Sequence, residues 1–145
     1  GQGIKDMAAA GVVATLLPAT AFSLKEPYAN GRKMIDSNCA VALATDFNPG
    51  SCFTESIPLV FALATIYMNI STEEASSALT INGAAALDGA DRIGSIDKGK
   101  MGDLIIWECP SYTFIPYHLS VSTVEKVIKQ GNLVFDKEQG GIIHC

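Results

Sequence analysis

The chain has 145 residues, of which 48% are hydrophobic and 17% charged. This length and composition are sufficient for one compact domain with its own core and argue against a disordered chain. The formal net charge of −5, without a cluster of lysine and arginine, argues against nucleic acid and anionic membrane surfaces as partners. The longest apolar run, residues 57–68, is too short to span a membrane.

The four cysteines are widely spread and give no metal-site spacing. None forms a C-x-x-C pair, and no histidine stands at a zinc-finger distance from Cys39, Cys52, Cys109 or Cys145. Cysteines of this kind usually behave as small buried hydrophobic residues. Because the first residues, GQGIKD, also lack the form of a secretory signal, we expect reduced thiols and a cytoplasmic protein.

The N-terminal part predicts a short helix and then a buried strand. Residues 4–10 carry a helical pattern, and Gly11 ends it as a glycine after a helix commonly does. Residues 12–17, VVATLL, form a continuous apolar and partly β-branched run that is ended by Pro18. This pattern is typical of a strand buried on both faces, as in a parallel sheet.

A second helix and a second buried strand follow. Residues 28–37 are more polar and predict a helix, and residues 39–45, CAVALAT, repeat the pattern of a buried strand. A loop rich in turn-forming residues, 46–51, comes directly after that strand. Residues 54–68 then predict a long apolar helix, in which Pro58 is tolerated only within the first turn.

The rest of the chain changes from helices to strands. Ser71 and Glu74 form a capping-box pattern that opens a helix, and residues 80–87 predict another short helix. Residues 103–107 predict a strand, and residues 124–135 predict a hairpin with a Gln-Gly turn. Repeated strand–helix pairs followed by a β-rich tail indicate an α/β fold, part of a sheet or barrel with a small appended sheet.

Asp46 is the sharpest candidate for chemistry. It follows the second apolar strand, and α/β folds place their sites in the loops after strand ends; residues 17–18, after the first strand, are the other such place. A carboxylate there fits a zinc or iron ligand. It also fits an Asx turn that caps its own loop. The residues alone slightly favour the structural interpretation.

The loop after Asp46 offers groups suited to binding a carboxylate substrate. Asn48 and Ser51 carry hydrogen-bond donors, and Gly50 lets backbone amides approach a ligand closely. Taken alone, an ordinary turn is the simpler explanation of this loop.

Other reactive side chains do not form a catalytic set. His118 and His144 lie in the β-rich tail without an H-x-H or H-x-x-x-H partner. Cys52 is better explained as a buried thiol than as a nucleophile. The sequence also contains no G-x-S-x-G motif and no phosphate-binding loop.

Four stretches of the chain carry a family resemblance. They are VVATLLP at residues 12–18, ATDFNPGS at 44–51, TINGAAAL at 80–87 and DRIGSIDKGKMGDLI at 91–105. The first two resemble the last two barrel strands of imidazolonepropionases, a family of metal-dependent amidohydrolases, and the loop after the final strand. The last two resemble the tail shared by most amidohydrolases. The likeness extends over nearly the whole chain and corresponds to the C-terminal third of the family.

The resemblance implies a fold and a reaction. Residues 1–90 would form the last βα units of a (β/α)8 amidohydrolase barrel, and residues 91–145 a β-rich piece of a small composite β-sandwich domain. The implied reaction hydrolyses the ring C–N bond of 4-imidazolone-5-propanoate to N-formimino-L-glutamate, in histidine degradation. The attacking water would be activated by one divalent metal, zinc or iron. The expected partners are a small-molecule substrate and a second copy in a homodimer.

The resemblance also assigns roles to the loop residues. Asp46 would be both a metal ligand and the catalytic residue that helps to manage the proton of the attacking water. Asn48 and Gly50 would hold the formimino-glutamate end of the product. Ser51 would contact the propionate side of the substrate.

The family's other functional residues have no counterpart in this chain. These are an H-x-H pair, a later metal histidine, a catalytic glutamate and histidine, and arginine and tyrosine substrate contacts. A catalytic metal normally takes three protein ligands or more, so we expect the isolated chain to bind no metal tightly and to be inactive. Two alternatives stay open: another amidohydrolase, such as a cyclic amidine deaminase, and a non-catalytic product that binds full-length subunits.

Overall fold

A computed structural model describes residues 1–142 as an α/β fold. Within these residues, no helix is both long and apolar enough to cross a membrane. The elements in chain order are α1 (Gln2–Ala9), β1 (Ala14–Leu16), α2 (Pro18–Leu24), α3 (Gly31–Asp36), β2 (Val41–Leu43), α4 (Ile57–Tyr67), α5 (Thr72–Leu79), α6 (Ile81–Ala86), β3 (Leu104–Trp107), α7 (Phe114–Tyr117), β4 (Val124–Lys129), β5 (Asn132–Asp136) and β6 (Gly141–Ile142).

The helix boundaries follow local stop and cap signals. Gly11 has a φ of +65° after α1, as predicted for a glycine that closes a helix. Pro58 lies in the first turn of α4, as predicted. The capping box before α5 is also confirmed, because the Ser71 amide donates to Glu74 Oε2 at 2.9 Å and the Glu74 amide donates to Ser71 Oγ at 3.2 Å.

Three helices differ from the sequence prediction. Pro18, interpreted only as the end of a strand, also begins α2, where its fixed φ suits the first helical position. The helix predicted over residues 28–37 begins only at Gly31, because the side chain of Asn30 accepts from the Lys33 amide at 3.0 Å and caps it. The short helix α7 has no counterpart among the predicted elements.

β1 and β2 pair in parallel, with Leu16 opposite Leu43. All three residues of β2 are buried, as predicted. The prediction that the first strand is buried on both faces is wrong, because Thr15 is exposed and Ala14 only half-buried. Within residues 1–142, β1 pairs with β2 alone, so its other edge and the face carrying Thr15 have no neighbour to bury them.

The core lies between this pair of strands and the helices around it. α4 contributes the largest share, and Val60 within it is fully buried. Ile115 of α7 packs into the same cluster, which ties the β-rich part to the helical part. The buried members of the cluster are Leu16, Ala19, Val41, Leu43, Cys52, Val60, Phe61, Leu63, Ala64, Met68, Ile70, Ala75, Ala78 and Ile115.

The second half of the chain forms a four-stranded antiparallel sheet in the order β3-β4-β5-β6. The predicted hairpin is confirmed as β4 and β5, joined by Gln130 and Gly131 with φ values of +51° and +80°. Two consecutive left-handed residues match the twist that a tight hairpin needs. The division into residues 1–90 and 91–145 stays a prediction.

Candidate active site

The parallel pairing brings the carboxyl ends of β1 and β2 to one edge. The Ala44 amide donates to the Leu16 carbonyl at 3.2 Å, which continues the pairing beyond the strands. Thr20 follows shortly after the end of β1, and Asp46 shortly after the end of β2. Side chains from two consecutive strand–helix units therefore meet at the place where α/β folds bind ligands.

Asp46 presents its carboxylate to solvent at this edge. Its Oδ2 accepts a hydrogen bond from Thr20 Oγ1 at 3.1 Å. In residues 1–142, Oδ1 has no hydrogen-bond partner and the residue is exposed. The backbone of Asp46 has a φ of +54°, in the left-handed region that aspartate tolerates better than most residues. The carboxylate is therefore held at one oxygen and open at the other.

Asn48, rather than Asp46, makes the Asx turn of this loop. Asn48 Oδ1 accepts from the amides of Gly50 and Ser51, each at 2.8 Å. Asn48 Nδ2 donates to the Asp46 carbonyl at 2.5 Å and to Ser51 Oγ at 2.9 Å. An amide side chain has two donor hydrogens and two acceptor lone pairs, so Asn48 is fully used inside the loop. The loop is thereby held in one shape around Asp46.

The loop is closed by a backbone bridge and flanked by exposed aromatic rings. The Asn48 amide donates to the Cys52 carbonyl at 2.9 Å. Cys52 is fully buried, as predicted for a structural thiol, and its Sγ lies 3.5 Å from the Thr54 carbonyl. Phe47 and Phe53 are 59% and 70% exposed. Two large apolar side chains beside the candidate site offer surface to a ligand or to another chain segment.

The histidines do not join this site. The ring of His118 packs against Phe114, with ring centroids 4.2 Å apart, which gives it a structural role in the aromatic cluster of α7. His144 lies outside the described residues. In the part of the chain that the structure covers, no three His, Cys, Asp or Glu side chains are grouped closely enough to hold a metal ion. Within these residues, Asp46 therefore belongs to no group of three potential metal ligands.

A bidentate ion pair joins two of the helices. Arg32 on α3 donates to both carboxylate oxygens of Glu74, at 2.7 and 2.9 Å. The same guanidinium bonds Asp36 at 2.8 Å. The Arg32 hydrogen bonds, with the Ser71 amide second, hold the pKa of Glu74 below its ordinary value. This bidentate pair fastens α3 to the start of α5.

Thr20 is the residue that the sequence argument missed. The end of the first strand was recognised as a place for a site, but Thr20 stands beyond Pro18, inside a helix that the pattern did not reveal. The register of the two parallel strands explains why Thr20 lies near Asp46, because Leu16 stands opposite Leu43 and the two strand ends are aligned. Phe47 and Phe53 were also missed, since exposure cannot be derived from an apolar residue type.

Comparison with known proteins identifies the family of the chain. The model of the Amidohydrolase family matches residues 4–134. Imidazolonepropionases from Clostridium tetani and Parabacteroides distasonis are 67% and 63% identical over 136 and 131 residues, which cover 94% and 90% of this chain. The matches cover 32% of each relative, so the chain spans about a third of the length of these curated relatives.

Solved structures share the fold at low identity. An adenosine deaminase from Xanthomonas campestris with bound zinc superposes with a TM-score of 0.84 at 22% identity, over 99% of this chain and 36% of that one. An amidohydrolase from Thermotoga maritima gives a TM-score of 0.74 at 27% identity, over 93% of this chain and 34% of that one. With a family model that matches nearly all of its length, the chain belongs to the amidohydrolase family.

Proposed function

We propose that this chain is the C-terminal third of an imidazolonepropionase. The reaction would be hydrolysis of the ring C–N bond of 4-imidazolone-5-propanoate to N-formimino-L-glutamate, in histidine degradation. The observation that carries the proposal is the identity of 59–67% to proteins of that name over 90–94% of the chain. We also propose a cytoplasmic protein with reduced thiols; Cys39, Cys52 and Cys109 are free.

The proposed fold is the end of a (β/α)8 barrel with a piece of a composite β-sandwich. Two parallel strands, each followed by a helix, support the first part. The open edge of β1 and a cavity of ≈ 290 Å³ beside it, lined by Leu17, Leu24 and Tyr28 among others, support a further strand and helix packing there. The antiparallel sheet of the second half supports the sandwich piece.

In this proposal Asp46 is one ligand of a divalent metal, zinc or iron. The fit is good for one ligand, since Oδ1 is open to solvent while Oδ2 is held by Thr20. The remaining ligands would come from residues outside this chain, because a catalytic metal takes three protein ligands or more. When bound, the metal would supply a Lewis acid that lowers the pKa of the attacking water. Asp46 Oδ2 keeps a lone pair able to take up that water's proton.

The loop residues would shape the substrate side. Gly50 and Ser51 lie at the rim of the loop, with Gly50 exposed and Ser51 half-buried. Ser51 Oγ would contact the propionate side and Gly50 the formimino-glutamate end. Asn48 was assigned to that same end, but its polar atoms are all bonded inside the loop. We propose that Asn48 serves the ligand by holding this loop, and Asp46 within it, in shape.

A fusion protein tests the proposal. In it, this chain replaces the matching third of the Clostridium tetani relative, and the upstream two thirds of that relative supply the remaining ligands. The fusion should bind one zinc and hydrolyse 4-imidazolone-5-propanoate, and Asp46→Asn, which keeps the shape of the side chain, should abolish both. The isolated chain should show neither. A zinc-loaded fusion that does not turn over this substrate would refute the proposed reaction.

A non-catalytic role is the second candidate, supported by the lack of a three-ligand cluster in residues 1–142. In this role the chain would bind full-length subunits at the open edge of β1. Co-purification of the tagged chain with the full-length relative would support this role, and a chain that never associates would refute it. A third hypothesis is that the chain belongs to a cyclic amidine deaminase. In that case the fusion should release ammonia from cyclic amidines and should not open the ring of the imidazolone.

A further inference from the structure

A side chain from the neighbouring strand–helix unit holds the carboxylate of Asp46. Thr20 Oγ1 donates to Asp46 Oδ2 at 3.1 Å across 26 positions of sequence. Thr20 stands in the first turn of α2, directly after Pro18 and Ala19, both of which are buried. The donor therefore projects from backbone that packing has fixed, and it keeps a constant position relative to the end of β2.

The backbone of Asp46 is fixed independently of its side chain. Its φ of +54° is held by the loop, in which Asn48 Nδ2 donates to the Asp46 carbonyl at 2.5 Å. Without Thr20, the carboxylate would still be free to rotate about its side-chain bonds, because the structure gives it no other hydrogen bond in residues 1–142. Thr20 thus selects one carboxylate orientation out of several, with Oδ2 engaged and Oδ1 open.

We propose that Thr20 is a positioning residue for Asp46, whose hydroxyl fixes Oδ2 so that Oδ1 is presented to a divalent cation. The proposal rests on the proposed function, since it takes Asp46 as a metal ligand. Thr20 contacts Asp46 Oδ2, the oxygen proposed to take up the proton of the water, and acts only through that carboxylate. Groups that orient a metal ligand by hydrogen bonding typically change metal affinity about 10- to 100-fold when removed. Because this hydrogen bond is exposed, we expect the lower end of that range.

The test uses three variants of the fusion protein. Thr20→Val removes the hydroxyl and keeps the branched shape, whereas Thr20→Ser restores the hydroxyl. Thr65→Val is a matched control, because the Thr65 hydroxyl donates to the Ala62 carbonyl within α4 at 2.9 Å. Zinc is removed from each protein and its dissociation constant is then measured by competition with a chromophoric chelator. kcat, KM and the melting temperature of the metal-free protein are measured beside it.

The expected result is a zinc dissociation constant about 10-fold weaker in Thr20→Val, with a lower kcat and a KM within about twofold of the parent. Thr20→Ser and Thr65→Val should stay within about twofold of the parent in zinc affinity. The metal-free melting temperature of Thr20→Val should match that of Thr65→Val, because the effect is one of ligand orientation.

The proposal is overturned if Thr20→Val binds zinc as tightly as the parent. It is also overturned if Thr20→Ser loses as much affinity as Thr20→Val, since the hydroxyl would then be irrelevant, or if Thr65→Val loses as much, since the loss would then be general. These outcomes compare zinc affinities among variants. The proposed function is judged separately, by whether the parent fusion turns over 4-imidazolone-5-propanoate.

Discussion

Replacing Asn48 by aspartate separates the two halves of the loop's hydrogen-bond network. The substitution keeps the oxygen that accepts from Gly50 and Ser51 at 2.8 Å. It replaces the Nδ2 donor, 2.5 Å from the Asp46 carbonyl, by a second oxygen, which repels that carbonyl. The lost hydrogen bond to the Asp46 carbonyl is worth about 1 kcal/mol, and the left-handed backbone of Asp46 that it helps to hold stores roughly 1–2 kcal/mol. Ser51 Oγ, which accepts from Nδ2 at 2.9 Å, can donate to the new oxygen instead.

Water reaches this loop and can replace part of the lost hydrogen bonding, so we expect Asn48→Asp to lower the free energy of unfolding by about 1–2 kcal/mol. Asn48→Ala should lower it by about 2–3 kcal/mol, because two backbone amides then lose their acceptor as well. Urea unfolding of the full chain measures both. The single tryptophan, Trp107, is a suitable fluorescence probe because it packs against the core.

Asn69→Asp is the matched control for this series. Asn69 is exposed, and its φ of +53° is left-handed like that of Asp46. The same exchange of asparagine for aspartate there should change the free energy of unfolding by no more than about 0.5 kcal/mol. If Asn48→Asp is as stable as the parent while Asn48→Ala is not, the hydrogen bond from Asn48 Nδ2 to the Asp46 carbonyl contributes nothing to the free energy of unfolding. The statement that Asn48 holds the backbone of Asp46 in its left-handed conformation would then be refuted.

Three further predictions concern the scaffold. Arg32 lowers the pKa of Glu74 from its ordinary 4.5. The pair therefore stabilises the fold above that pH, and its contribution is lost as the pH falls through the lowered pKa. Glu74→Gln should weaken the dependence of the free energy of unfolding on pH in the acid range, as measured by circular dichroism. Val60→Ala should cost about 2 kcal/mol in urea unfolding, whereas Ile66→Ala, at a position 61% exposed in the same helix, should cost under about 0.5 kcal/mol; equal effects would contradict the assigned core. Gly94→Ala should lower the melting temperature more than Gly99→Ala. Both glycines have φ near +90°, but a Cβ at Gly94 would lie 2.7 Å from the Cβ of Ala84, whereas a Cβ at Gly99 would meet open space. Equal melting temperatures would contradict that packing.

Elements with strong local signals were predictable from the sequence. The buried run of β2, the capping box at Ser71 and the Gln130-Gly131 hairpin each depend on neighbours close in sequence. The exposed face of β1 was not predictable, because an apolar run at a sheet edge has the same pattern as one in the middle of a sheet. Its burial depends on which strands are present beside it.

The candidate site was predictable only as separate pieces. Asp46 at the end of a buried strand was recognisable from the pattern of apolar residues and turn formers. That Asn48, not Asp46, makes the Asx turn could not be derived, since both residue types favour such turns equally. The contact between Thr20 and Asp46 depends on the register of two parallel strands, and no local pattern specifies that register.

The most direct test of the account is a crystal structure of the zinc-loaded fusion, with the metal located by anomalous scattering. We expect a metal ion about 2.0–2.2 Å from a carboxylate oxygen of Asp46, with Thr20 still donating to the other oxygen. A metal ion bound elsewhere, with the Asp46 carboxylate turned away from it, would contradict the account.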